Sequence, residues 1–266
     1  MPYEDLLLEK EGVIATLTLN APQKLNALTR KMQTSLPLAV DEIAKDDEVR
    51  VVIVTGAGRG FCAGADVSAM AARDTGEAPE MPLHMRIKHL GWPHADAFPK
   101  LNKPVIAAIN GPCVGGGFSL AMSCDIRIAS EAAKFSAIWI SHALVPDWGA
   151  TYLLPRIVGM SKALELMFTG DIFTAADAER LGIISRVVPP GDLMKVTREL
   201  ANKIAQQAPI PVSLAKKMVW RGLFDGLTRQ LDLETWAQAI CHDTEDHKES
   251  VRAFMEKRPL PQFKGR

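Results

Sequence analysis

The feature that most constrains this chain is a run of three glycines, residues 115–117, between an apolar segment and a helical pattern. The apolar segment 105–109 predicts a short buried strand, and Phe118, Ala121 and Met122 then recur at helical spacing. Glycines at such a corner let backbone or a ligand approach where any Cβ would collide. The first N–H groups of the following helix have no partner inside it, and the helix dipole favours negative charge there. We therefore expect a site for an anion, or for a carbonyl oxygen that gains negative charge.

A second glycine-containing turn follows another apolar run. Residues 51–55 form a continuous apolar stretch, as expected of a strand that is covered on both faces. The turn itself, residues 61–66, reads Phe-Cys-Ala-Gly-Ala-Asp and leads into a predicted helix. The intervening glycines, at 56–60, have the wrong spacing for a dinucleotide fingerprint. A phosphate-binding P-loop is excluded, because no Gly-Lys-Ser/Thr follows either turn.

Composition and charge narrow the classes of partner. The 31 basic and 31 acidic residues cancel, so electrostatics gives no reason to expect nucleic acid or an anionic membrane as a partner. No stretch approaches the length of a membrane span, and the acidic start does not resemble a signal peptide. The four cysteines lack the spacing of a zinc site or a disulfide framework. We expect a cytoplasmic protein without a metal or a redox cofactor.

The order of the patterns predicts the fold class. Strands alternate with helices up to a last strand at 183–188, and beyond Pro189 the pattern is only helical. This order predicts an α/β core at 1–190 and a helical C-terminal region at 191–266. Further strands are predicted at 13–19 and 125–129, with an extended piece at 134–140. The irregular segment 74–103, which contains His84, His89 and His94, is interpreted as facing the substrate.

Taken together, the two turns and their order resemble the crotonase superfamily, the enoyl-CoA hydratases and isomerases. The resemblance covers nearly the whole chain. Its matching pieces are Asn20-Ala-Pro-Gln-Lys-Leu-Asn-Ala-Leu28, Phe61-Cys-Ala-Gly-Ala-Asp66, Lys103-Pro-Val-Ile-Ala-Ala-Ile-Asn-Gly111, residues 115–117, Ala121-Met-Ser-Cys-Asp-Ile-Arg-Ile-Ala129, Leu154-Pro-Arg-Ile-Val-Gly159, residues 175–182 and residues 187–189.

The resemblance implies a spiral of repeated ββα units with a helical C-terminal trimerisation region, and trimers that often pair into hexamers. It implies an acyl-CoA thioester as the substrate, so that coenzyme A enters with the substrate and no separate cofactor is needed. It also implies an oxyanion hole made by the backbone N–H groups of Ala65 and Gly116. Two donors already oriented toward the thioester oxygen would stabilise an enolate that forms there.

The same resemblance implies where coenzyme A lies. It would run along Lys24 and Leu25 and across Ala63, Asp66 and Val67. Lys24 either meets a phosphate as a point charge or is a solvated surface lysine. Asp66 either contacts the cofactor portion of the substrate or caps the helix that it begins, and we favour the cap.

The catalytic carboxylates depart from the hydratase pattern. A typical hydratase of the family holds water between two glutamates, which would fall at Ser119 and Trp139, and neither residue can replace a carboxylate. Ordinary hydratase activity is therefore disfavoured. Asp147 lies between Val145-Pro146 and Trp148, where apolar neighbours would raise its pKa and make it a better base. The simpler alternative is a loop aspartate that starts the helix at Trp148.

Two kinds of relative carry an aspartate at the position of Asp147. In double-bond isomerases, including ring-epoxide isomerases of phenylacetyl-CoA degradation, it is catalytic. Chlorobenzoyl-CoA dehalogenases use it as a nucleophile, with a tryptophan eight residues earlier, the spacing of Trp139 and Asp147. The Trp139 indole N–H could orient a carboxylate, although a core aromatic is the simpler interpretation. The dehalogenases also use a histidine near His89 or His94, and His142 has no assigned role.

These observations predict an acyl-CoA double-bond isomerase with Asp147 as acid and base, and with Trp139 shaping the pocket. Aroyl-CoA dehalogenation with Asp147 as nucleophile is the alternative. A serine hydrolase is a rival from another class, because Gly117-Phe-Ser-Leu-Ala121 approximates a nucleophile elbow. Ser119, Asp147 and His242 or His247 follow the chain order of such a triad, but this leaves the turn at 61–66 unexplained. A non-catalytic CoA-binding protein is the last rival.

Overall fold

The computed structural model describes residues 3–75 and 95–266. Their strands, in chain order, are β1 (Leu6–Glu11), β2 (Ile14–Leu19), β3 (Val51–Gly56), β4 (Val105–Ile109), β5 (Cys113–Val114), β6 (Ile126–Ser130), β7 (Lys134–Ser136), β8 (Ile172–Thr174) and β9 (Arg186–Val188). Six of these form the main sheet in the order β1-β2-β3-β4-β6-β9, in which only the β1–β2 pair is antiparallel. The other three form a small sheet in the order β5-β7-β8.

Helices surround both sheets. Within the described ranges they are α1 (Arg30–Lys45), α2 (Val67–Asp74), α3 (Ala97–Lys100), α4 (Gly116–Ser123), α5 (Ala150–Val158), α6 (Met160–Thr169), α7 (Ala175–Arg180), α8 (Leu193–Ala205), α9 (Pro209–Gly222), α10 (Leu227–Asp243) and α11 (Glu245–Met255). Short 3-10 turns occupy Pro22–Lys24, Ile138–His142 and Pro190–Asp192. None of the helices in residues 3–75 and 95–266 has the length and apolarity to cross a membrane.

The centre of the main sheet is covered on both faces. Alternate residues of β3, such as Val52 and Val54, pack in the larger core cluster, whereas Val51 and Ile53 pack on the other face against α8. The continuous apolar run at 51–55 reflects this double burial. Because β3 and β4 are parallel neighbours, their carboxyl ends meet at one edge of the sheet. The two glycine-containing turns therefore start from the same edge.

The predicted strands at 13–19, 51–55, 105–109 and 125–129 are confirmed as β2, β3, β4 and β6. The extended piece at 134–140 was too long, because β7 ends at Ser136 and a 3-10 turn begins at Ile138. The last strand is shorter than 183–188, since only Arg186–Val188 pairs with β6. Three strands, β1, β5 and β8, carry too weak a pattern to have been predicted.

The helical pattern beyond Pro189 is confirmed by α8 to α11. The first of these helices lies on the main sheet, because its residues Leu193, Ala201 and Ala205 pack in one cluster with residues of β3 and β4. The division into 1–190 and 191–266 stays a prediction. The helix α8 belongs to the second range but shares a core with strands of the first.

Candidate active site

The two glycine-containing turns pack directly against each other. The N–H groups of Phe61 and Cys62 both donate to Pro112 O, at 3.1 and 3.0 Å, and Val114 N–H donates to Cys62 O at 3.0 Å. A Cβ added to Gly117 would lie 2.3 Å from Cys62 O. The expectation that these glycines allow a close backbone approach is confirmed.

Gly64 is required for the same contact. Its φ is +85°, a conformation that residues with a Cβ rarely adopt, and an added Cβ would lie 2.7 Å from Val114 O. The same Cβ would lie 3.2 Å from Gly116 N. Gly64 therefore lies directly beside the first turn of α4.

Two asparagines brace this region. The Asn26 side chain is completely buried, donates to Ala57 O and Gly60 O, and accepts from Ala21 N–H, all at 2.8–2.9 Å. Asn110 donates in the same way to Gly56 O at 2.9 Å. Sequence reasoning did not single out either residue. The sequence signal for Asn26 is its residue type in a turn-rich loop, because asparagine tolerates a positive φ better than most residues, and the φ of Asn26 is +56°.

The loop at 20–28 also joins the site. Leu28 N–H donates to Gly64 O at 2.7 Å, and Ala63 N–H donates to Leu25 O at 3.0 Å. Three loops, at 20–28, 61–66 and 110–117, therefore meet at one end of the sheet.

The two candidate oxyanion donors lie at this junction. Gly116 is the first residue of α4, as expected, whereas Ala65 precedes α2 and forms an isolated bridge with Leu28. Gly64, the residue directly before Ala65, lies close to Gly116: its Cα is 4.0 Å from a Cβ built on Gly116. Within residues 3–75 and 95–266, neither the Ala65 nor the Gly116 N–H donates to a protein acceptor. The described part of the chain therefore leaves both amides without an acceptor.

Ser119, Trp139 and Asp147 come together in one cluster. The indole Nε1–H of Trp139 donates to Asp147 Oδ1 at 2.8 Å, and the Ser119 hydroxyl donates to the main-chain oxygen of Asp147 at 2.9 Å. Ser119 and Trp139 are buried, and Asp147 is half-buried. Ser119 lies on α4, the helix that begins at Gly116, so one short helix connects the amide to the aspartate loop.

The environment of Asp147 changes its acidity. Burial raises the pKa of the Asp147 carboxyl above its ordinary value, whereas the hydrogen bond from Trp139 lowers it by stabilising the charged form. Burial is the larger effect. The direction expected from the apolar neighbours in the sequence is confirmed.

Asp147 does not start the helix. The simpler alternative placed that start at Trp148, but α5 begins at Ala150 with Gly149 as the N-cap residue. Trp148 and Gly149 both have positive φ, +51° and +82°, and this conformation keeps them out of the helix. A positive φ is rare for a residue as bulky as tryptophan, and such strain is concentrated at functional sites.

The candidate coenzyme A residues lie along one edge of these loops. Lys24 Nζ forms an ion pair with Asp66 Oδ2 at 2.7 Å and donates to Ser68 Oγ at 3.1 Å. Asp66 Oδ1 accepts from Ser68 N–H at 3.2 Å, so Asp66 caps α2 as favoured. Val67 beside it is exposed. The structure thus brings Lys24 beside Asp66 and Leu25 beside Ala63.

The serine hydrolase alternative is wrong. Ser119 is completely buried and its hydroxyl donates to a peptide oxygen. His242 and His247 contact each other on α10 and α11, with ring nitrogens 3.1 Å apart. No hydrogen bond joins Ser119 to a histidine in the part of the chain that the structure describes.

The remaining histidines have no established part in the site. His84, His89 and His94 lie outside the described residues, as does most of the segment at 74–103. His142 is exposed at the end of a 3-10 turn.

Comparison with known proteins identifies the family of this chain. The family model of enoyl-CoA hydratase/isomerase matches residues 9–266. The chain is 41% identical to the short-chain-enoyl-CoA hydratase of Clostridium acetobutylicum over 100% of both chains. It is 37% identical to the 1,2-epoxyphenylacetyl-CoA isomerase of Escherichia coli over 99% of both chains. Hydratase is the more frequent name among such relatives.

Solved structures share the fold. An enoyl-CoA hydratase subunit from Geobacillus kaustophilus superposes with a TM-score of 0.91 at 36% identity, covering 99% of each chain. The α/β spiral with a helical C-terminal region, expected from the resemblance, is therefore confirmed. The chain belongs to the enoyl-CoA hydratase/isomerase family.

Proposed function

We propose that this protein is an acyl-CoA isomerase that moves a double bond through a thioester enolate, with Asp147 as its acid and base. The observation that carries the proposal is the 2.8 Å hydrogen bond between Trp139 and Asp147. This bond supports the proposal, because the resemblance puts the two glutamates of a hydratase at Ser119 and Trp139, and the carboxylate joined to these residues is that of Asp147, with a raised pKa. A single carboxylate is enough to remove a proton from one carbon and return it to another.

The oxyanion hole is formed by the N–H groups of Ala65 and Gly116. Both lie at the junction of the glycine-containing turns, and Gly116 adds the positive end of the α4 dipole. They polarise the thioester carbonyl and hold the negative charge that develops on its oxygen. Loss of one such donor typically costs about 10²–10³ in rate.

Asp147 moves the proton. Its Oδ1 is held by Trp139, so Oδ2 takes the proton from the substrate carbon. The C–H bond breaks, an O–H bond forms, and the electron pair spreads onto the thioester oxygen. Asp147 then returns the proton to a second carbon of the enolate, and the double bond is displaced with no water added. A carboxyl with a pKa closer to neutrality suits both steps.

Aroyl-CoA dehalogenation is the second candidate, and the same hydrogen bond favours it. An aspartate held at Oδ1 by an indole presents Oδ2 for attack on an aromatic carbon. The carboxylate would displace halide and form an aspartyl ester, which water would hydrolyse. Incubation in ¹⁸O-water separates the two reactions, because only the ester route places label in a hydroxylated product.

Coenzyme A binds along Lys24, Leu25, Ala63, Asp66 and Val67 in this proposal. Lys24 supports it most directly. Its side chain is 42% exposed and pairs with Asp66 at the edge of these loops, so its ammonium is open to a phosphate of the substrate.

The active form is a homo-oligomer, either a trimer or a dimer of trimers. Large apolar side chains on the C-terminal helices are exposed in the single chain, including Trp236 and Phe254, which are 61% and 81% exposed. Several large apolar side chains exposed on the same helical region support burial against another subunit. Light scattering gives the mass of the assembly.

A panel of enoyl-, dienoyl- and aroyl-CoA thioesters, assayed with wild type and Asp147→Asn, tests the proposal. We expect isomerisation of at least one enoyl or dienoyl thioester that disappears with the variant. Turnover that depends on Asp147 excludes a non-catalytic CoA-binding protein. Efficient hydration of crotonyl-CoA by the wild type contradicts the single-carboxylate argument.

A further inference from the structure

One short helix links the two halves of the proposed catalytic centre. The helix α4 runs from Gly116 to Ser123, and all of its residues are buried. Gly116, its first residue, carries one of the two proposed oxyanion amides, and Ser119 lies less than one turn further along. Ser119 N–H donates to Gly115 O at 3.0 Å, so the backbone of Ser119 is fixed to the residue directly before that amide.

The side chain of Ser119 bonds to a residue outside this helix. Its hydroxyl donates to Asp147 O at 2.9 Å, across 28 positions of the chain. Ser119 is completely buried, and a buried hydroxyl that makes no hydrogen bond costs free energy. Ser119 therefore holds the main chain of Asp147 from the helix that begins with the oxyanion amide.

Asp147 is attached at two points. Ser119 holds its main chain, whereas Trp139 Nε1–H donates to its Oδ1 at 2.8 Å. Asp147 O also accepts from Ala150 N–H at 3.0 Å, and this bond closes the turn before α5. If the Ser119 hydroxyl is removed, Asp147 O keeps the Ala150 partner and the turn keeps its internal bond. The loop then loses its direct hydrogen bond to α4.

Ser123 shows that a buried serine on α4 does not need a partner outside the helix. It is 1% exposed, and its hydroxyl donates to Leu120 O of the same helix at 2.7 Å. The two serines are almost equally buried, but of the two only Ser119 bonds to the aspartate loop. Burial on α4 therefore does not account for the bond that Ser119 makes.

We propose that Ser119 is a positioning residue that sets the distance between Oδ2 of Asp147 and the substrate carbon beside the thioester. The inference rests on the proposed function, in which the Gly116 amide holds the thioester oxygen and Asp147 moves the proton. Because Ser119 is completely buried, it acts through the main chain of Asp147 rather than on the substrate. A displacement of about 1 Å in a reacting group can cost about 10²-fold in rate. Loss of the hydroxyl slows proton transfer and leaves coenzyme A binding unchanged.

Steady-state kinetics of Ser119→Ala and Ser119→Cys test this role, with a thioester that the wild type converts in an Asp147-dependent reaction. Ser119→Ala removes the hydroxyl, whereas Ser119→Cys fills the same space but offers only a weak S–H donor. We expect both variants to lower kcat by about 10- to 100-fold. KM should stay within about twofold of the wild type, since an interaction that acts only in the transition state lowers kcat and kcat/KM equally.

Ser123→Ala is the matched control, because it removes a buried hydroxyl from the same helix without touching the aspartate loop. Its kcat should stay within about twofold of the wild type. Circular dichroism and urea unfolding verify that each variant is folded. If Ser119→Ala does not fold, Ser119→Cys decides the test. Equal losses of kcat in the Ser119 and Ser123 variants would show a general effect on α4 and overturn the proposal.

The ultraviolet spectrum of bound acetoacetyl-CoA separates positioning from damage to the oxyanion hole. The conjugated enolate of this thioester absorbs at longer wavelength than the keto form, and donors to the thioester oxygen favour the enolate. We expect the wild type and Ser119→Ala to produce the same enolate band, because the Gly116 amide stays in place. A band that the wild type shows and Ser119→Ala lacks would mean that α4 itself has moved, which overturns a role through Asp147.

The outcomes separate this inference from the proposed function. A wild-type kcat in Ser119→Ala or Ser119→Cys, while Asp147→Asn abolishes turnover, overturns the positioning role alone. If the thioester that the wild type converts is dehalogenated rather than isomerised, slower turnover in both Ser119 variants supports the positioning role and contradicts only the reaction. Absence of Asp147-dependent turnover of any thioester by the wild type overturns both proposals.

Discussion

The indole Nε1 of Trp139 lies 2.8 Å from Oδ1 of Asp147 and donates a hydrogen bond to it. The two residues are eight positions apart, one in a 3-10 turn and the other in the loop before α5. The bond fixes one carboxylate oxygen and leaves the other for chemistry. It also opposes the effect of burial on the acidity of Asp147.

Replacing Trp139 with phenylalanine should change the pH dependence of turnover. Burial raises the pKa of Asp147 and the indole lowers it, so Trp139→Phe removes the lowering contribution. A base loses activity as the pH falls through its pKa. The acid limb of the kcat profile should therefore move to higher pH in the variant. A limb at the wild-type position would show that Trp139 does not set the acidity of this carboxylate.

Asp147→Asn should make the protein more stable at neutral pH. The pKa of Asp147 is raised in the folded state, so ionisation of this carboxyl opposes folding. The contribution of Asp147 to the stability of the wild type is therefore most favourable below the pKa that Asp147 has in the unfolded chain. The difference in free energy of unfolding between the two proteins should shrink as the pH falls from above the folded-state pKa to the unfolded pKa, and stay small below it. Urea unfolding at several pH values measures it. A variant that is less stable at pH 7 and unchanged in acid would contradict the direction assigned to the pKa.

Gly64→Ala should destabilise the fold. Its φ of +85° is unfavourable for alanine, and the new Cβ would lie 2.7 Å from Val114 O. Strain and overpacking of this kind cost about 2–4 kcal/mol together. Gly191→Ala is the control, because a Cβ there meets nothing within 4 Å. The midpoints of urea unfolding should separate the two variants, and similar midpoints would show that the loops can move apart.

Lys24→Met should weaken coenzyme A binding by about tenfold, the size of one favourable charge contact. Lys24→Arg should retain most of the affinity, because it keeps the positive charge. Lys31→Met is the matched control, since Lys31 is an exposed lysine on α1 that pairs with Glu4. Calorimetry measures each affinity. If Lys24→Met binds as wild type does, the lysine only pairs with Asp66.

Much of the sheet could be predicted because its patterns are strong. The strands β3 and β4 are continuous apolar runs, and their burial on both faces explains that composition. The glycines at 64 and 117 could be predicted as close-approach positions from their place after those strands. By contrast, β5 and β8 contain two and three residues, too few to show a period.

The site was harder to predict where a contact depends on the backbone. Ser119 donates to the main-chain oxygen of Asp147, a partner that no side-chain pattern reveals. The start of α5 was misplaced because tryptophan does not ordinarily adopt the positive φ of Trp148. Lys24 and Asp66 are 42 residues apart, and only the pairing of their loops brings them together.

The central claim, that Asp147 transfers a proton at the carbon activated by the Ala65 and Gly116 amides, is tested most directly in deuterium oxide. An enoyl-CoA substrate is incubated with wild type and with Asp147→Asn, and label and double-bond position are followed by mass spectrometry and NMR. The wild type should incorporate deuterium and move the double bond without net hydration, and the variant should be slower by at least about 100-fold. Equal incorporation by the two proteins, or a hydrated product from the wild type, would contradict the account.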